Sequence, residues 1–220
     1  MTLDSQTDST TYVVKYMNAM GRACASRAML HLSGATYTNE FVTAEQVAAD
    51  RIAFPFGKVP VLIVNHPDGT SFELGESIAI EHYLAEKLGF LSRNFDEAAR
   101  MKSVALNIYF ELYNHCFAGK IPIQEAVQDP ESEFNTKALP QFIACHERWL
   151  NENGNNGHYF GNELSYPDIA LCNWLRIMQG LGVTQVKETS PIKKLEQTVK
   201  ALEAWKGQYD NFHPFGTIEA

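Results

Sequence analysis

Residues 56–64 read FGKVPVLIV, and residues 74–84 read LGESIAIEHYL. The apolar, β-branched run that follows Pro60 is typical of a buried strand that begins after a turn. Glu76 and Ser77 open an amphipathic helix, and the amino terminus of a helix attracts carboxylates. The two segments together predict a place where an extended, peptide-like ligand pairs with exposed backbone.

Strand and helix signals alternate before and between these two segments. β-Branched and aromatic residues favour strands, alanine-rich apolar runs favour helices, and Gly, Pro, Asn and Asp mark the turns between them. The predicted elements are a strand at 11–17, a turn at 18–21, a helix at 22–32, a strand at 37–41, a helix at 44–52, two strands around Val61 and Phe72 joined by a turn at 65–70, and a helix at 77–88 that Gly89 ends. The order is βαβαββα.

The second half of the chain has the three- and four-residue spacing of helices. The pattern predicts helices at 98–117 and 133–150, with a loop at 120–130 between them. Ser165 and Asp168 form a capping-box pattern that predicts a further helix start. We therefore expect an α/β domain at 11–89 and an all-helical domain at 90–220, preceded by a disordered tail at 1–10.

Composition is that of an ordinary globular enzyme, with 220 residues, 45% of them hydrophobic. The 26 Asp and Glu against 18 Lys and Arg give a formal charge of −8, which argues against nucleic acid or an anionic membrane as partner. No apolar run approaches the roughly 20 residues of a membrane span, and residues 1–10 are polar, unlike a signal peptide. We expect a cytoplasmic protein.

The cysteines and histidines lack the close spacing of metal ligands. Cys24, Cys116, Cys145 and Cys172 are far apart in the sequence, and the seven histidines form no His-x-x-x-His pattern. The sequence therefore predicts reduced, mostly buried thiols and no metal site.

The two opening segments, together with residues 16–23, YMNAMGRA, resemble the cytosolic glutathione S-transferases of the tyrosine type, most closely the sigma class. The capping box within residues 159–171, YFGNELSYPDIAL, extends the resemblance into the helical half. The resemblance implies the glutathione transferase fold, in which a thioredoxin-like domain precedes an all-α domain. It also implies a cis peptide bond before Pro60.

The resemblance gives Tyr16 the catalytic position. Its hydroxyl would donate a hydrogen bond to the glutathione sulfur and so favour the thiolate over the thiol. The residue also ends the first strand, and open α/β sheets bind ligands at the carboxyl ends of their strands. Arg22 would support the tyrosine electrostatically, as the matching arginine does in sigma-like relatives.

The same resemblance assigns glutathione, the co-substrate, to a set of matching positions. Ser77 and the helix terminus would bind the γ-glutamyl carboxylate, and Glu76 would face its ammonium group, although many tyrosine-type members have glutamine there. Val59 would exchange backbone hydrogen bonds with the cysteinyl part, with Pro60 fixing the geometry.

Two basic residues and one aromatic helix complete the expected site. Arg51 and Lys58 would bind the glycine carboxylate, although for Lys58 an ordinary surface position is an equal alternative. An electrophile pocket would lie between the domains, lined by Met20, Tyr109 and Tyr113, whose aromatic members could equally be core. The family commonly forms homodimers, which we expect here.

The leading hypothesis is a glutathione S-transferase that conjugates small hydrophobic electrophiles. A glutathione-dependent isomerase of the prostaglandin-synthase kind is an alternative, because it needs the same thiolate. A non-catalytic protein of the same fold, such as a lens crystallin or a ligand carrier, is another. A cysteine-type oxidoreductase would require a cysteine at the end of the first strand, whereas Cys24 is predicted inside the helix.

Overall fold

The structure, a computed structural model, describes residues 9–116, 122–202 and 205, without the side chains of 112–116. Four strands form one mixed sheet in the order β2-β1-β3-β4. β1 is parallel to β2 and antiparallel to β3, which is antiparallel to β4. The strands are β1 (Thr11–Tyr16), β2 (Tyr37–Phe41), β3 (Val61–Asn65) and β4 (Ser71–Gly75).

The helices of the sheet-containing half follow the predicted βαβαββα order. The predicted helix at 22–32 begins with a 3₁₀ turn at Gly21–Ala23 before the α-helical part. A second 3₁₀ turn, Arg51–Ala53, follows α2. The α-helices are α1 (Cys24–Leu32), α2 (Ala44–Ala49) and α3 (Ser77–Lys87).

The rest of the described chain is helical, as expected, and no described residue after Gly75 lies in a strand. The helix predicted at 133–150 begins with a π-helical turn, Phe134–Ala138, before its α-helical part. The helices are α4 (Phe95–Cys116), α5 (Ile123–Gln128), α6 (Leu139–Glu152), α7 (Tyr166–Gly180) and α8 (Pro191–Lys200). The domain division at 89–90 stays a prediction, and most of the predicted tail lies outside the described residues.

The loop predicted at 120–130 is wrong in part, because α5 lies within it. Pro122 occupies the N-cap position, where a proline leaves no helical N–H unsatisfied. Ile123 then enters the hydrophobic core. Ile123, Ala126 and Val127 have the spacing of one helical face, but a run of six residues is too short for this pattern to stand out between two prolines.

The predicted capping box at the start of α7 is confirmed. The Asp168 carboxylate accepts hydrogen bonds from the Ser165 backbone N–H at 2.8 Å and from its hydroxyl at 2.7 Å. Its other oxygen accepts from the Tyr159 backbone N–H at 2.8 Å. Asp168 is fully buried, so these donors compensate its desolvation and tie the preceding loop to the helix.

Helices α1 and α3 connect the sheet to the helical half through α7. The Cys24 thiol donates to the Asn173 side-chain oxygen at 2.8 Å. The Tyr166 hydroxyl donates to the Glu81 carboxylate at 2.5 Å. Both bonds are buried, so the two halves share polar as well as apolar contacts. Within the described residues, no helix combines the length and hydropathy needed to cross a membrane.

Candidate functional site

Tyr16 lies at the carboxyl end of β1 with only 5% of its surface exposed. Its hydroxyl oxygen accepts a hydrogen bond from the Arg22 backbone N–H at 3.1 Å. A Cβ atom at position 21 would lie 2.4 Å from this oxygen, and Gly21 has a φ of +37°. Glycine at position 21 is therefore what lets the loop close over the hydroxyl.

Arg27 places its guanidinium over the Tyr16 ring, 5.7 Å from the ring centroid. Its side chain is fully buried. It donates to the Asn39 side-chain oxygen at 2.8 Å and to the Ala19 carbonyl at 2.6 Å. Arg27 thus joins α1 to β2 and to the loop that follows Tyr16. Sequence analysis missed this role, although an arginine inside the apolar run of residues 23–30 was the available signal.

Arg22 supports Tyr16 through its main chain, because its backbone N–H donates to the Tyr16 hydroxyl. The electrostatic support predicted for its side chain stays a prediction. A backbone donor to the phenol oxygen polarises the O–H bond and leaves the phenol proton to be donated onward. The arrangement suits a hydroxyl whose task is to stabilise a neighbouring anion.

A pocket lies beside this loop, between the 3₁₀ turn at Gly21–Ala23, the start of β3 and the start of α3. Five of the six residues predicted to bind glutathione line it, together with Arg22 and Phe56. The lining is Arg22, Phe56, Lys58, Val59, Pro60, Glu76 and Ser77. The pocket therefore combines two cationic side chains, one carboxylate and a helix amino terminus.

Arg51, the sixth predicted residue, is not among the described residues that line the pocket. It packs against the loop before β3, where a Cβ atom at Gly57 would be 3.4 Å from the Arg51 Cβ. Lys58 is exposed at the pocket edge. Of the two predicted basic residues, only Lys58 is brought to the pocket, and the pairing of Arg51 with a carboxylate stays a prediction.

The Val59–Pro60 peptide bond is cis, as expected. The loop before it packs on the end of β4, because a Cβ atom at Gly75 would lie 3.0 Å from the Phe56 ring. This contact fixes the path of the chain into β3 and brings Val59 opposite the start of α3.

Glu76, the N-cap residue of α3, has a φ of +67°. A positive φ is uncommon for a residue other than glycine and points to a local functional constraint. The Glu76 carboxylate is exposed at the pocket, whereas the adjacent Ser77 is 3% exposed. Ser77 begins α3, so its hydroxyl and the first backbone N–H groups lie at the positive end of the helix dipole.

Of the three residues predicted to line an electrophile pocket, Met20 and Tyr109 have described side chains. Met20 is fully buried. Tyr109 is half-buried on α4, and its hydroxyl lies 3.1 Å from the Ser77 hydroxyl. The side chain of Tyr113 lies outside the described residues. The electrophile pocket therefore stays a prediction.

The buried thiols are poor nucleophiles. Burial raises the pKa of Cys24 to about 12, with smaller opposing effects from Arg176 and Arg27. Burial likewise raises the pKa of Cys172 to about 12. Since the thiolate is the reactive form, neither side chain supports a cysteine-dependent reaction. In the described part of the chain, no group of three His, Cys, Asp or Glu side chains could hold a metal ion.

Two family models match the chain and together cover most of it. The model "Glutathione S-transferase, N-terminal domain" matches residues 12–86. The model "Glutathione S-transferase, C-terminal domain" matches residues 112–207. The first match contains the pocket and Tyr16, and the second contains α5 to α8.

Relatives and solved structures of the same kind match over most of their lengths. Glutathione S-transferase 3 of Caenorhabditis elegans is 24% identical over 192 residues, which are 86% of this chain and 90% of the relative. S-crystallin 2 of Octopus vulgaris is 24% identical over 173 residues, 74% of this chain and 78% of the relative.

Among solved structures, a Nu-class GST from Haemonchus contortus has a TM-score of 0.77 at 23% identity, covering 94% of this chain and 98% of its own. Prostaglandin synthase D of Nilaparvata lugens has a TM-score of 0.74 at 23% identity, and the match covers 89% of this chain and 95% of the synthase. A GST of Necator americanus described as monomeric has a TM-score of 0.69 at 23% identity, and the match covers 89% of this chain and 94% of the GST. These structures share the fold.

Proposed function

The chain belongs to the glutathione S-transferase family, and on that premise we propose that it conjugates the thiolate of glutathione to small hydrophobic electrophiles. Tyr16 is the catalytic residue in this proposal. The observation that carries it is the Tyr16 hydroxyl held by the Arg22 backbone N–H at 3.1 Å beside a pocket of complementary charge. The phenol proton is then donated to the glutathione sulfur.

The strength of one hydrogen bond is enough for this role. A thiol with a pKa of about 8.5 is only a few per cent ionised at pH 7. A hydrogen bond to a charged group contributes about 1.5–3 kcal/mol, and each pH unit corresponds to about 1.4 kcal/mol. The bond from Tyr16 therefore lowers the pKa of the bound thiol by about one to two pH units. At pH 7 such a thiol is about one quarter to three quarters ionised.

The charges of the pocket match those of glutathione in one orientation. The γ-glutamyl carboxylate binds at Ser77 and the amino terminus of α3, and its ammonium faces Glu76. Val59 pairs with the cysteinyl backbone beside the cis Pro60. The glycine carboxylate lies towards Lys58, with Arg51 as a further cation at longer range. The orientation directs the sulfur towards Tyr16.

We propose that the electrophile enters along α4 towards Tyr113, next to the loop after β1 that carries the buried Met20. Exposed aromatic surface is present there, since Phe110 is 48% exposed. Apolar surface of this kind favours small hydrophobic compounds and is consistent with a role in detoxification.

Two further properties belong to the proposal. The protein forms a homodimer through the loop before β3, where Ile52 is 97% and Phe56 is 65% exposed, because isolated proteins rarely leave such side chains in water. It works in the cytoplasm, where cysteines persist as thiols, as the described ones do. Light scattering measures the first property, and a molar mass of one chain would contradict it.

Glutathione-dependent isomerisation is the second candidate, since the fold is shared with a prostaglandin synthase D. The reaction requires the same thiolate and differs in the compound that enters along α4. The relative named S-crystallin 2 represents the non-catalytic alternative. That alternative gives no reason for a polarised tyrosine beside a charged pocket.

The test is an ultraviolet titration of the bound glutathione thiolate against pH. In wild type we expect half-ionisation one to two pH units below the free thiol, and in Tyr16→Phe a return towards the free value. Tyr37→Phe, which alters a half-buried tyrosine of β2, is the matched control and should behave as wild type. Glutathione binding without any thiolate signal would refute the assignment of Tyr16. Absence of binding in calorimetry would favour the crystallin-like alternative.

A further inference from the structure

Tyr109 is bonded to the first residue of α3 across the two halves of the fold. Its hydroxyl lies 3.1 Å from the Ser77 hydroxyl, within hydrogen-bond distance. The two residues are 32 positions apart in the sequence. Tyr109 belongs to α4 in the helical half, whereas Ser77 belongs to the sheet-containing half. This bond therefore brings the helical half to the edge of the pocket.

Tyr109 lies behind Ser77 and not in the pocket itself. Ser77 lines the pocket with Glu76 and Pro60, while Tyr109 is not one of the described residues in that lining. Ser77 is 3% exposed, so its hydroxyl has little contact with water. The bond to the Ser77 hydroxyl therefore connects Tyr109 to a ligand in this pocket.

The chemistry of the two hydroxyl groups fixes the direction of this bond once a carboxylate is bound. A serine hydroxyl has one proton and two lone pairs. If Ser77 donates its proton to a carboxylate, it has none left for Tyr109, and Tyr109 must be the donor. A phenol is also the more acidic of the two groups and hence the better donor. Ser77 then accepts from Tyr109 and donates to the ligand, and each bond polarises the other.

We propose that Tyr109 is a positioning residue of the glutathione site, which orients the Ser77 hydroxyl so that its proton points at the γ-glutamyl carboxylate. The inference rests on the proposed function, since it takes glutathione as the ligand. It gives Tyr109 a role at the glutathione site in place of the role predicted for it in the electrophile pocket. It also makes α4 a contributor to glutathione recognition within one chain.

Orientation of Ser77 gives the pocket a preference for an acceptor at this point. With one lone pair engaged by Tyr109, the hydroxyl presents its proton towards the ligand. A carboxylate gains a short, charge-assisted bond there, whereas a carboxamide gains a weaker one. Loss of the Tyr109 hydroxyl lets Ser77 rotate among its three staggered positions and reduces that preference.

The test is a double-mutant cycle on glutathione affinity with Tyr109→Phe and Ser77→Ala, measured by calorimetry. The phenylalanine removes one oxygen atom and preserves the packing of the ring, and its melting temperature checks that the fold is intact. In the wild-type background we expect Tyr109→Phe to weaken glutathione binding about fivefold. In the Ser77→Ala background the same change should have no effect, because there is no hydroxyl to orient.

Steady-state kinetics give a second readout. Since Ser77 is remote from the thiol, Tyr109→Phe should raise KM for glutathione about fivefold and leave kcat unchanged. An analogue in which the glutamyl α-carboxylate is an amide should lose less affinity than glutathione does on the same substitution.

Failure of the inference is distinguishable from failure of the proposed function. Equal affinity of wild type and Tyr109→Phe would overturn the positioning role, as would an equal loss in both Ser77 backgrounds, which indicates a general structural effect. Either result leaves glutathione binding by the wild type intact. If the wild type itself shows no heat of binding with glutathione, the proposed function fails and this inference fails with it.

Discussion

Replacing Glu81 with glutamine should stabilise the protein above pH 7 and change the shape of its stability curve. Glu81 is 5% exposed and lies on the inner face of α3, where its carboxylate accepts the Tyr166 hydroxyl at 2.5 Å. Burial raises the pKa of Glu81 from 4.5 to about 7, and the bond from Tyr166 opposes this only in part. Glutamine has nearly the same shape and keeps an oxygen for Tyr166.

The sign and size of the effect follow from proton linkage. A carboxyl whose pKa is higher in the folded than in the unfolded state contributes most to the free energy of unfolding when the pH is below its unfolded pKa, here about 4.5. This contribution is lost as the pH rises through the folded pKa, about 7. At about 1.4 kcal/mol per pH unit the loss reaches about 3 kcal/mol above pH 7. The amide never ionises. Glu81→Gln should therefore gain up to about 3 kcal/mol at pH 8 and almost nothing near pH 4.5.

A buried histidine changes the stability with pH in the opposite direction, so the pH dependence of wild type and of the variant should differ. His146 accepts the Tyr159 hydroxyl at 2.6 Å and lies 3.0 Å from the Asn107 side-chain oxygen. Burial lowers the pKa of His146 from 6.5 to about 4. The contribution of His146 to the free energy of unfolding is fully present above pH 6.5 and is lost as the pH falls towards 4. Between about pH 4.5 and 6.5 the effects of Glu81 and His146 cancel in wild type.

The assay is urea unfolding of wild type and Glu81→Gln at pH 5, 6.5 and 8. The variant should lose about 1.4 kcal/mol per pH unit between pH 6.5 and 5, because the His146 effect is no longer balanced. Glu73→Gln, at an exposed position of β4, is the matched control and should change stability by less than about 0.5 kcal/mol at each pH. A stability difference between Glu81→Gln and wild type that is the same at pH 5 and pH 8 would refute the reasoning.

Two further substitutions test the support of Tyr16. Gly21→Ala places a Cβ atom 2.4 Å from the Tyr16 hydroxyl oxygen, so the pKa of the bound glutathione thiol should rise towards its free value. Gly34→Ala is the control, because Gly34 also has a positive φ, +73°, but open space around it. It should cost about 1–2 kcal/mol of stability without changing the pKa of the bound thiol. Equal thiolate titrations for the two variants would contradict the role of Gly21. Arg27→Lys removes the guanidinium fork that holds Asn39 and the Ala19 carbonyl, and should lower the free energy of unfolding by at least about 2 kcal/mol and also weaken the thiolate signal. Arg148→Lys on the exposed face of α6 is its control, and similar losses in both would show that the buried contacts of Arg27 are not the cause.

Local signals explain why the sheet-containing half was predicted well. The turn after β1, the apolar run of β3 and the polar start of α3 each depend on residues only a few positions apart. The polar start of α7 was predicted for the same reason, since Ser165 and Asp168 are three residues apart. The 3₁₀ turn at Gly21–Ala23 was not predicted, because its short bonds serve the contact with Tyr16 and carry no pattern of their own.

The contacts that sequence analysis did not predict join residues that are distant in the chain. Arg22 was named as the electrostatic support of Tyr16, and the contact of the Arg27 guanidinium with the Tyr16 ring was not predicted. The resemblance assigned Tyr109 to an electrophile pocket, and its contact with Ser77 depends on how α4 packs beside α3. Helical spacing identifies the face of a helix but not the element that packs on that face.

The burial of Glu81 could have been predicted from the sequence of α3. Residues 77, 80, 81 and 84 recur at the spacing of one helical face, and all four are buried. A glutamate within such a face must be protonated or hydrogen-bonded, because an isolated buried carboxylate is too costly. That inference was available from α3 alone, whereas its partner Tyr166, 85 positions later, was not. The same helix face thus carries Ser77 at the pocket and Glu81 in the core, four residues apart. Since Ser77 is bonded to α4 and Glu81 to α7, packing of the helical half stabilises the fold and positions the ligand-binding hydroxyl through one helix.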